Sequence, residues 1–218
     1  MAIINLMHDD SLSAMRGMKD KSYQLAIVDV PYGININHNI GRRKGDAPSS
    51  YKPVVWDNDS PDVEYFDQLF RVSENQIIWG ANHFISKMPR DSSCWLMWDK
   101  GFSGDVSFAQ FELAWTSFNS TCKKYDKHPG TIKNRIHPTE KPIKLYSWLL
   151  KNYAKPGDKI LDTHAGSFSI GIACDIMGYD IDAYEIDLEY YTAAKARLAR
   201  HQQQATLFTA DGLHLNGG

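Results

Sequence analysis

The chain has few cysteines, no long apolar run and little net charge, and each absence excludes a class of protein. Its three cysteines, Cys94, Cys122 and Cys174, lack the pairing of a disulfide framework and the spacing of a metal site. We therefore expect a reducing, cytoplasmic setting and no bound metal. No apolar run approaches the ~20 residues of a membrane span. The first residues have no basic region and turn acidic by Asp9, so we expect no signal peptide and no membrane partner.

The formal net charge of −2 over 218 residues offers no bulk positive charge to hold a nucleic acid. The charge is nevertheless uneven. Residues 121–144 carry seven basic against two acidic side chains, a net of +5, whereas residues 158–189 carry one basic against eight acidic, a net of −7. A small basic cluster, Arg42-Arg43-Lys44, lies between glycines. The near-neutral total thus averages two unlike regions, and it does not exclude a DNA partner.

Short apolar runs typical of buried parallel strands alternate with helical patterns. The predicted strands are residues 24–30, 76–79, 94–98, 159–161 and 181–186. Helices are predicted after Ser60, which we expect to be the N-cap, from Pro142 to Tyr153, and after Asp187. This alternation predicts an α/β fold with a mainly parallel sheet covered by helices on both faces. Such sheets bind ligands beyond the carboxyl ends of their strands.

Two polar stretches interrupt this alternation. Residues 35–58 contain several glycines and prolines, and residues 119–135 are mostly basic among their charged positions. Stretches of this length without predicted structure are usually functional or mobile loops.

The segment KILDTHAGSFS predicts a strand that ends at Asp162, a tight turn and a helix. The turn consists of small residues, Ala165, Gly166 and Ser167, which let the backbone approach a ligand. Glu185 ends the next predicted strand, where a carboxylate can accept hydrogen bonds from both ribose hydroxyls. The segment is not GxGxxG, so it favours a nucleoside without a pyrophosphate. The alternative is an ordinary tight turn with solvated acids.

The segment QLAIVDVPYG delivers Asp29 at the end of a buried strand, followed by Val30, Pro31 and Tyr32. Proline stiffens the turn, and tyrosine offers a flat face for stacking. An acceptor beside an aromatic ring suits an enzyme that acts on the amino group of an extruded base. The alternative is a plain turn at a strand end, where Asp, Pro and Gly are common.

The segment HPTEKP precedes a predicted helix. Thr139 and Lys141 in it could bind a carboxylate. Taken alone, the segment is equally explained as a helix entry with two prolines.

Together these motifs resemble the DNA amino-methyltransferases that use S-adenosylmethionine. The order DVPYG, HPTEKP, DTHAGSFS is similar to that of the β group, a circularly permuted version of the methyltransferase fold. Two further segments, NQIIWGANHF and WLMWDK, resemble strands of the family, and DDSL resembles its short acidic motif, in which Asp10 would contact the cofactor. The resemblance covers nearly the whole chain.

The resemblance implies a Rossmann-like methyltransferase fold in one domain, 1–218, with target-recognition insertions at about 35–58 and 119–135. It implies transfer of a methyl group from S-adenosylmethionine to the exocyclic N6 amine of adenine in double-stranded DNA, as in restriction-modification. The implied catalytic residues are Asp29, Val30, Pro31 and Tyr32. Asp29 and the Val30 carbonyl would accept hydrogen bonds from the target amine, and Tyr32 would stack on the flipped base.

Further residues follow from the same resemblance. The implied cofactor-binding residues are Asp10, Asp29, Thr139, Lys141, Asp162, Ala165, Gly166, Ser167 and Glu185, with Glu185 on the ribose and Thr139 and Lys141 on the methionine end. The candidates for DNA binding are Arg42, Arg43, Lys44, Lys123, Lys124, Lys133 and Arg135. β-group relatives often dimerise, so a homodimer is compatible with this interpretation.

The sequence departs from the family pattern at two positions. Val30 replaces the first proline of DPPY, although its carbonyl is retained. Phe168 replaces the last glycine of the cofactor turn, where its ring either crowds the cofactor or points into the core. Three alternatives therefore stay open: an N4-cytosine DNA methyltransferase, an RNA or protein-amide methyltransferase of the same fold, and a non-catalytic nucleic-acid-binding module.

Overall fold

Eight strands form one mixed sheet in the computed structural model, which describes residues 2–34, 59–101, 109–126 and 140–213, with side chains as far as residue 204. The strands are β1 (Ile4–His8), β2 (Tyr23–Val28), β3 (Ser73–Trp79), β4 (Leu96–Asp99), β5 (Phe111–Thr116), β6 (Lys123–Asp126), β7 (Lys159–Asp162) and β8 (Asp180–Glu185). Their order in the sheet is β1-β8-β7-β2-β3-β5-β4-β6. The five predicted strands are confirmed as β2, β3, β4, β7 and β8, with ends shifted by up to three residues.

Only β5 runs against its neighbours among these strands. β1, β8, β7, β2 and β3 are mutually parallel, and β6 is parallel to β4, whereas β5 is antiparallel to both β3 and β4. The predicted α/β class with a mainly parallel sheet is confirmed. Because β5 is reversed, its first residues lie at the sheet edge where β2, β3 and β4 end.

Helices cover both faces of the sheet, as predicted. They are α1 (Ser11–Gly17), α2 (Val63–Val72), α3 (Ile143–Tyr153), α4 (Ser169–Met177) and α5 (Leu188–Leu213). Alternate residues of β2 enter the two cores: Leu25 packs in the core with α3 and α4, and Ala26 in the core with α1 and α2. This period of two is expected for a strand buried on both faces. None of the helices that the structure describes is both long and apolar enough to cross a membrane.

The helix ends agree in part with the sequence predictions. Asp187 caps α5, because its Oδ1 accepts hydrogen bonds from the amides of Glu189 (2.8 Å) and Tyr190 (3.0 Å). The prediction that Ser60 caps α2 is wrong: the N-cap is Asp62, whose Oδ1 accepts from the Tyr65 amide at 2.9 Å. The Ser60 hydroxyl instead accepts a hydrogen bond from the Lys87 ammonium at 2.8 Å.

Among the described strands and α-helices, four have no counterpart in the sequence predictions: β1, α1, β5 and β6. The prediction of a loop over 119–135 is wrong in part, because Lys123–Asp126 is an edge strand hydrogen-bonded to β4. The other interrupting stretch, 35–58, and the remainder of the second, 127–135, lie outside the described residues.

Replacing Asp62 by alanine should lower the free energy of unfolding by about 1 kcal/mol, because α2 loses the acceptor that its first turn requires. Urea denaturation of the ligand-free protein measures this change. Ser60→Ala is the matched control, since it removes a hydroxyl two residues away that caps no helix. Equal destabilisation by the two substitutions would contradict the assignment of Asp62 as the cap.

Candidate active site

The two motifs DVPYG and HPTEKP meet at the carboxyl edge of the sheet. Asp29 directly follows β2, and its Oδ1 accepts a hydrogen bond from the Tyr32 hydroxyl at 2.8 Å. Its Oδ2 lies 2.5 Å from the ammonium nitrogen of Lys141. Val30 turns its side chain into the core, where it is 2% exposed. The structure therefore brings Asp29 and Tyr32 of DVPYG together with Lys141 of HPTEKP, although the two motifs are more than 100 residues apart in the chain.

Glu112 and Lys100 extend this group, and neither was predicted as a site residue. The Lys141 ammonium lies 3.0 Å from Glu112 Oε2, and the Lys100 ammonium lies 2.6 Å from Glu112 Oε1. The four side chains form a row of alternating charge, which we call the Lys141 network: Lys100, Glu112, Lys141 and Asp29. Within WLMWDK, Lys100 lies two residues after the predicted strand 94–98, and in the structure it directly follows β4.

Electrostatics keep the Lys141 network ionised at its centre. Burial by itself raises the pKa of Glu112, but the ammonium groups of Lys141 and Lys100 outweigh it and lower that pKa to about 2. Burial lowers the pKa of Lys141, but the carboxylates of Asp29 and Glu112 outweigh it and raise that pKa. Burial also raises the pKa of Asp29, against the opposing effect of Lys141. At neutral pH, Glu112 is therefore anionic and Lys141 cationic.

The Tyr32 ring occupies a place that only glycine leaves open. Gly80 has φ +72°, and a Cβ built on it would lie 2.1 Å from Cε1 of Tyr32. On one side the ring stacks with His83, with centroids 5.3 Å apart and planes 16° apart. Gly80 thus provides both the left-handed turn after β3 and the room for the aromatic ring.

A cavity of about 280 Å³ lies between the end of β1, the start of α2 and the ends of β7 and β8. Its walls include four carboxylates, which belong to Asp9, Asp10, Asp62 and Glu185. Such a wall repels phosphate groups and suits an uncharged or cationic nucleoside. Its size is near the lower limit of ordinary ligand pockets. Two of the predicted cofactor residues, Asp10 and Glu185, line this cavity.

The glycine turn between β7 and α4 is fixed by the predicted acids. Glu185 Oε2 accepts a hydrogen bond from the Gly166 amide at 2.8 Å, and Oε1 accepts one from the Asp187 amide at 2.9 Å. Asp162 Oδ1 accepts from the His164 amide at 3.0 Å. Ala165 donates its amide to the Tyr184 carbonyl at 2.8 Å. Because a carboxylate has about four acceptor sites, Glu185 retains capacity for a ligand.

Burial raises the pKa of Asp162 to about 7 and lowers the pKa of His164 to about 4. His164 lines the cavity and is therefore neutral at physiological pH. Its Nδ1 lies 2.9 Å from the Thr163 hydroxyl, which in turn is within 2.5 Å of the Tyr65 hydroxyl. Tyr65, Thr163 and His164 thus place three polar groups along one wall of the cavity, and none was predicted from the sequence.

Phe168 points into the core. Its side chain is fully buried, and a Cβ added to Gly171 would lie 2.2 Å from Cζ of the Phe168 ring. Phe168 itself has φ +59°, the left-handed conformation for which the family's glycine is suited. Of the two orientations left open by the sequence, the structure therefore shows the one that leaves the cofactor turn uncrowded.

Arg197 in α5 ties the glycine turn to the segment that carries Lys141. Its guanidinium donates to the Ser167 carbonyl at 2.7 Å and to the Ser169 hydroxyl at 3.0 Å. It also lies 2.8 Å from Glu140 Oε1, where the Glu140 side chain is 3% exposed. Arg197 was not predicted as a site residue, because only the tertiary structure brings α5 to this turn.

Some predicted residues lie away from this centre or cannot be placed. Lys124 on β6 forms ion pairs with Asp126 (2.7 Å) and Asp99 (3.6 Å), and the Lys123 ammonium lies 3.5 Å from Asn152 Oδ1. Their assignment to DNA remains a prediction. The following predicted residues lie outside the described residues: Arg42, Arg43, Lys44, Lys133, Arg135 and Thr139.

A model of the DNA methylase family matches residues 73–196, more than half of the chain. The chain belongs to this N6/N4 DNA methylase family. The matched region includes β3, the WLMWDK and HPTEKP segments, the glycine turn and Glu185. It therefore contains most of the Lys141 network and most of the residues that face the cavity from β7 and β8.

Two curated methylases are similar to this chain in sequence. Type II methyltransferase M2.MboI of Moraxella bovis is 28% identical over 144 residues, which are 66% of this chain and 48% of the relative. Type II methyltransferase M2.DpnII of Streptococcus pneumoniae is 26% identical over 145 residues, 66% of this chain and 49% of the relative. The chain thus spans about half the length of the curated relatives it matches.

Solved structures confirm the fold. The complex of M1.HpyAVI with SAM superposes with a TM-score of 0.56 at 18% identity, covering 89% of this chain and 100% of that chain. The cytosine-N4-specific PvuII DNA methyltransferase superposes with a TM-score of 0.61 at 12% identity, covering 89% of this chain and 86% of that one. This member of the DNA methylase family therefore has the Rossmann-like methyltransferase fold that its sequence predicts.

Gly171→Ala should lower the free energy of unfolding of the protein by about 1–3 kcal/mol, because the new methyl group would overlap the buried Phe168 ring. The matched control is Gly17→Ala, whose Cβ would meet nothing within 4 Å. Thermal or urea unfolding measures both variants. A Gly171→Ala protein as stable as the control would contradict the core position of Phe168.

Asp162→Asn should make the free energy of unfolding depend less on pH between about 4 and 7. The folded-state pKa of Asp162, about 7, is above its unfolded value, so its protonated form stabilises the fold at low pH. This stability is lost as the pH rises through the folded pKa, whereas asparagine stays neutral. The wild type should therefore lose about 1.4 kcal/mol per pH unit relative to the variant over this range. The free energy of unfolding of both proteins is measured by urea denaturation at several pH values. A constant difference between wild type and variant from pH 4 to pH 7 would contradict the prediction.

Proposed function

We propose that the protein is an S-adenosylmethionine-dependent DNA methyltransferase that modifies the exocyclic N6 amine of adenine in double-stranded DNA. The observation that carries the proposal is the position of Asp29 and of the Glu185 cavity. They lie at the same edge of one sheet, on the neighbouring strands β2, β7 and β8. This edge is where parallel α/β sheets bind their ligands.

The cavity suits the nucleoside half of this cofactor. Glu185 has free acceptor capacity for ribose hydroxyls, and the surrounding carboxylates favour a ligand that carries a sulfonium cation and no phosphate. Asp10, Asp162, Ala165, Gly166 and Ser167 complete the proposed cofactor site. Thr139 and Lys141 are assigned to the methionine end. When bound, the cofactor supplies an electrophilic methyl group.

The chain's own residues would activate the target amine. The lone pair of an exocyclic adenine amine is delocalised into the ring, which makes the amine a weak nucleophile. Asp29 and the Val30 carbonyl are proposed to accept its two N–H groups, which localises that lone pair. Tyr32 is proposed to stack on the extruded base. Positioning and fixed acceptors of this kind account for much of the rate in group-transfer enzymes.

The finer assignments rest on the motifs. The order DVPYG, HPTEKP, DTHAGSFS supports membership of the circularly permuted β group. The motif of N4-cytosine enzymes begins with serine. Asp29 in that position therefore favours adenine by resemblance.

Basic residues including Arg42, Arg43 and Lys123 are proposed to contact phosphates. The type II relatives make a restriction-modification role the natural setting. A homodimer is proposed on the resemblance alone.

Expression in a host that lacks DNA methylation, followed by modification-sensitive sequencing, tests the proposal. It predicts N6-methyladenine at a short recurring sequence. N4-methylcytosine instead would make the runner-up assignment correct. Competition among duplex DNA, RNA and protein for labelled methyl groups separates the remaining alternatives. Transfer to none of them by the purified chain would contradict the proposal.

Asp29→Ala should lower the rate of methyl transfer to DNA by at least about 100-fold, because the target amine loses a fixed acceptor. The measurement is transfer of labelled methyl groups under single-turnover conditions. Asp20→Ala is the control, since its exposed carboxylate pairs only with Arg71 in the described structure. Robust transfer by Asp29→Ala would refute the role of this residue.

A further inference from the structure

The Lys141 ammonium is held between two carboxylates and has no access to bulk water. Its side chain is 1% exposed, and its nitrogen lies 2.5 Å from Asp29 Oδ2 and 3.0 Å from Glu112 Oε2. A buried ammonium cannot exchange a protein partner for water, because an uncompensated buried charge is strongly unfavourable. The third neighbour of the ammonium, the Tyr32 hydroxyl at 3.3 Å, carries no charge, so that in the described site Asp29 and Glu112 share the compensation of the Lys141 charge.

The Asp29 carboxylate already has two donors in the structure, and a substrate amine would have to compete with them. Its Oδ1 accepts from the Tyr32 hydroxyl at 2.8 Å, and its Oδ2 is paired with Lys141. A carboxylate that is closely paired with a cation is a weaker acceptor for a neutral amine. The acceptor strength of Asp29 thus depends on how much of the Lys141 charge the second carboxylate takes.

The backbone of Glu112 is fixed in the sheet, and its carboxylate is held by a second lysine. It lies opposite Trp98 in the ladder between β5 and β4, and the Lys100 amide donates to the Gln110 carbonyl at 3.0 Å. The Lys100 ammonium, 2.6 Å from Glu112 Oε1, fixes the other end of this carboxylate. Glu112 Oε2 is thereby directed at Lys141, and it also lies 3.4 Å from the Tyr32 hydroxyl.

We propose that Glu112 is a positioning residue that takes up part of the charge of the Lys141 ammonium, so that the Asp29 carboxylate can accept the target amine. Lys100 holds Glu112 in place for this purpose. The inference rests on the proposed function, because it assigns Glu112 a part in the same methyl transfer. Glu112 is not a catalytic residue in this account, since it acts on Asp29 through Lys141.

The test compares wild type with Glu112→Gln, which keeps the shape of the side chain and removes its charge. Lys141 then has Asp29 as its sole carboxylate partner in the described site. The single-turnover rate of methyl transfer should fall about 100-fold, which is the cost of a small misplacement at a reacting centre. The dissociation constant for S-adenosylmethionine, measured by calorimetry, should stay within threefold of wild type. Glu112→Asp, which restores the charge, should recover part of the rate.

Two further variants separate positioning from a structural role. Glu74→Gln, at an exposed glutamate of β3, should leave the rate and the cofactor affinity unchanged. On a Lys141→Met background, Glu112→Gln should cause no further loss of rate, because its effect passes through Lys141.

Two results would overturn the inference. One is a wild-type rate for Glu112→Gln. The other is a loss of rate that is matched by an equal loss of cofactor binding and of thermal stability, which is the mark of a structural role. If wild-type protein transfers no methyl group to DNA, the proposed function fails and the inference fails with it. An active wild type with an equally active Glu112→Gln variant overturns the inference alone.

Discussion

A single buried cation, the ammonium of Lys141, constrains the half of the site that contains Asp29. Burying a charge is tolerated only where opposite charges and hydrogen bonds compensate it. The compensation comes from the loop after β2 and from the start of β5, through Asp29 and Glu112. With Lys100 included, the Lys141 network holds two positive and two negative groups. The arrangement of three distant chain segments is therefore tied to the neutrality of one small cluster.

Glu140, the residue before Lys141, connects the same segment to the proposed cofactor half of the site. Glu140 pairs with Arg197, which also binds the Ser167 carbonyl at the glycine turn. Two adjacent residues of HPTEKP thus connect to different halves of the site, one to the loop after β2 and the other to the proposed cofactor turn. A short segment with two prolines, which resembles a plain helix entry, therefore joins both halves.

The strands that carry Asp29, Asp162 and Glu185 could be predicted because they are apolar runs buried on both faces, which end in acidic residues. Glu112 could not, because β5 is reversed in the sheet, so that its first residues and not its last reach the site. The orientation of Phe168 depends on a left-handed backbone and on the space above Gly171, which only the packed structure reveals. The choice between Ser60 and Asp62 as the cap of α2 could not be made from the sequence, since both residue types suit that role.

The most direct test of the shared ammonium is nuclear magnetic resonance of the Lys141 side chain in the ligand-free protein. If the ammonium is buried between Asp29 and Glu112, its nitrogen should give a signal protected from exchange with water. That signal should show couplings across hydrogen bonds to the carboxylate carbons of both residues. A Lys141 ammonium that exchanges as fast as those of exposed lysines, and that couples to neither carboxylate, would contradict the account.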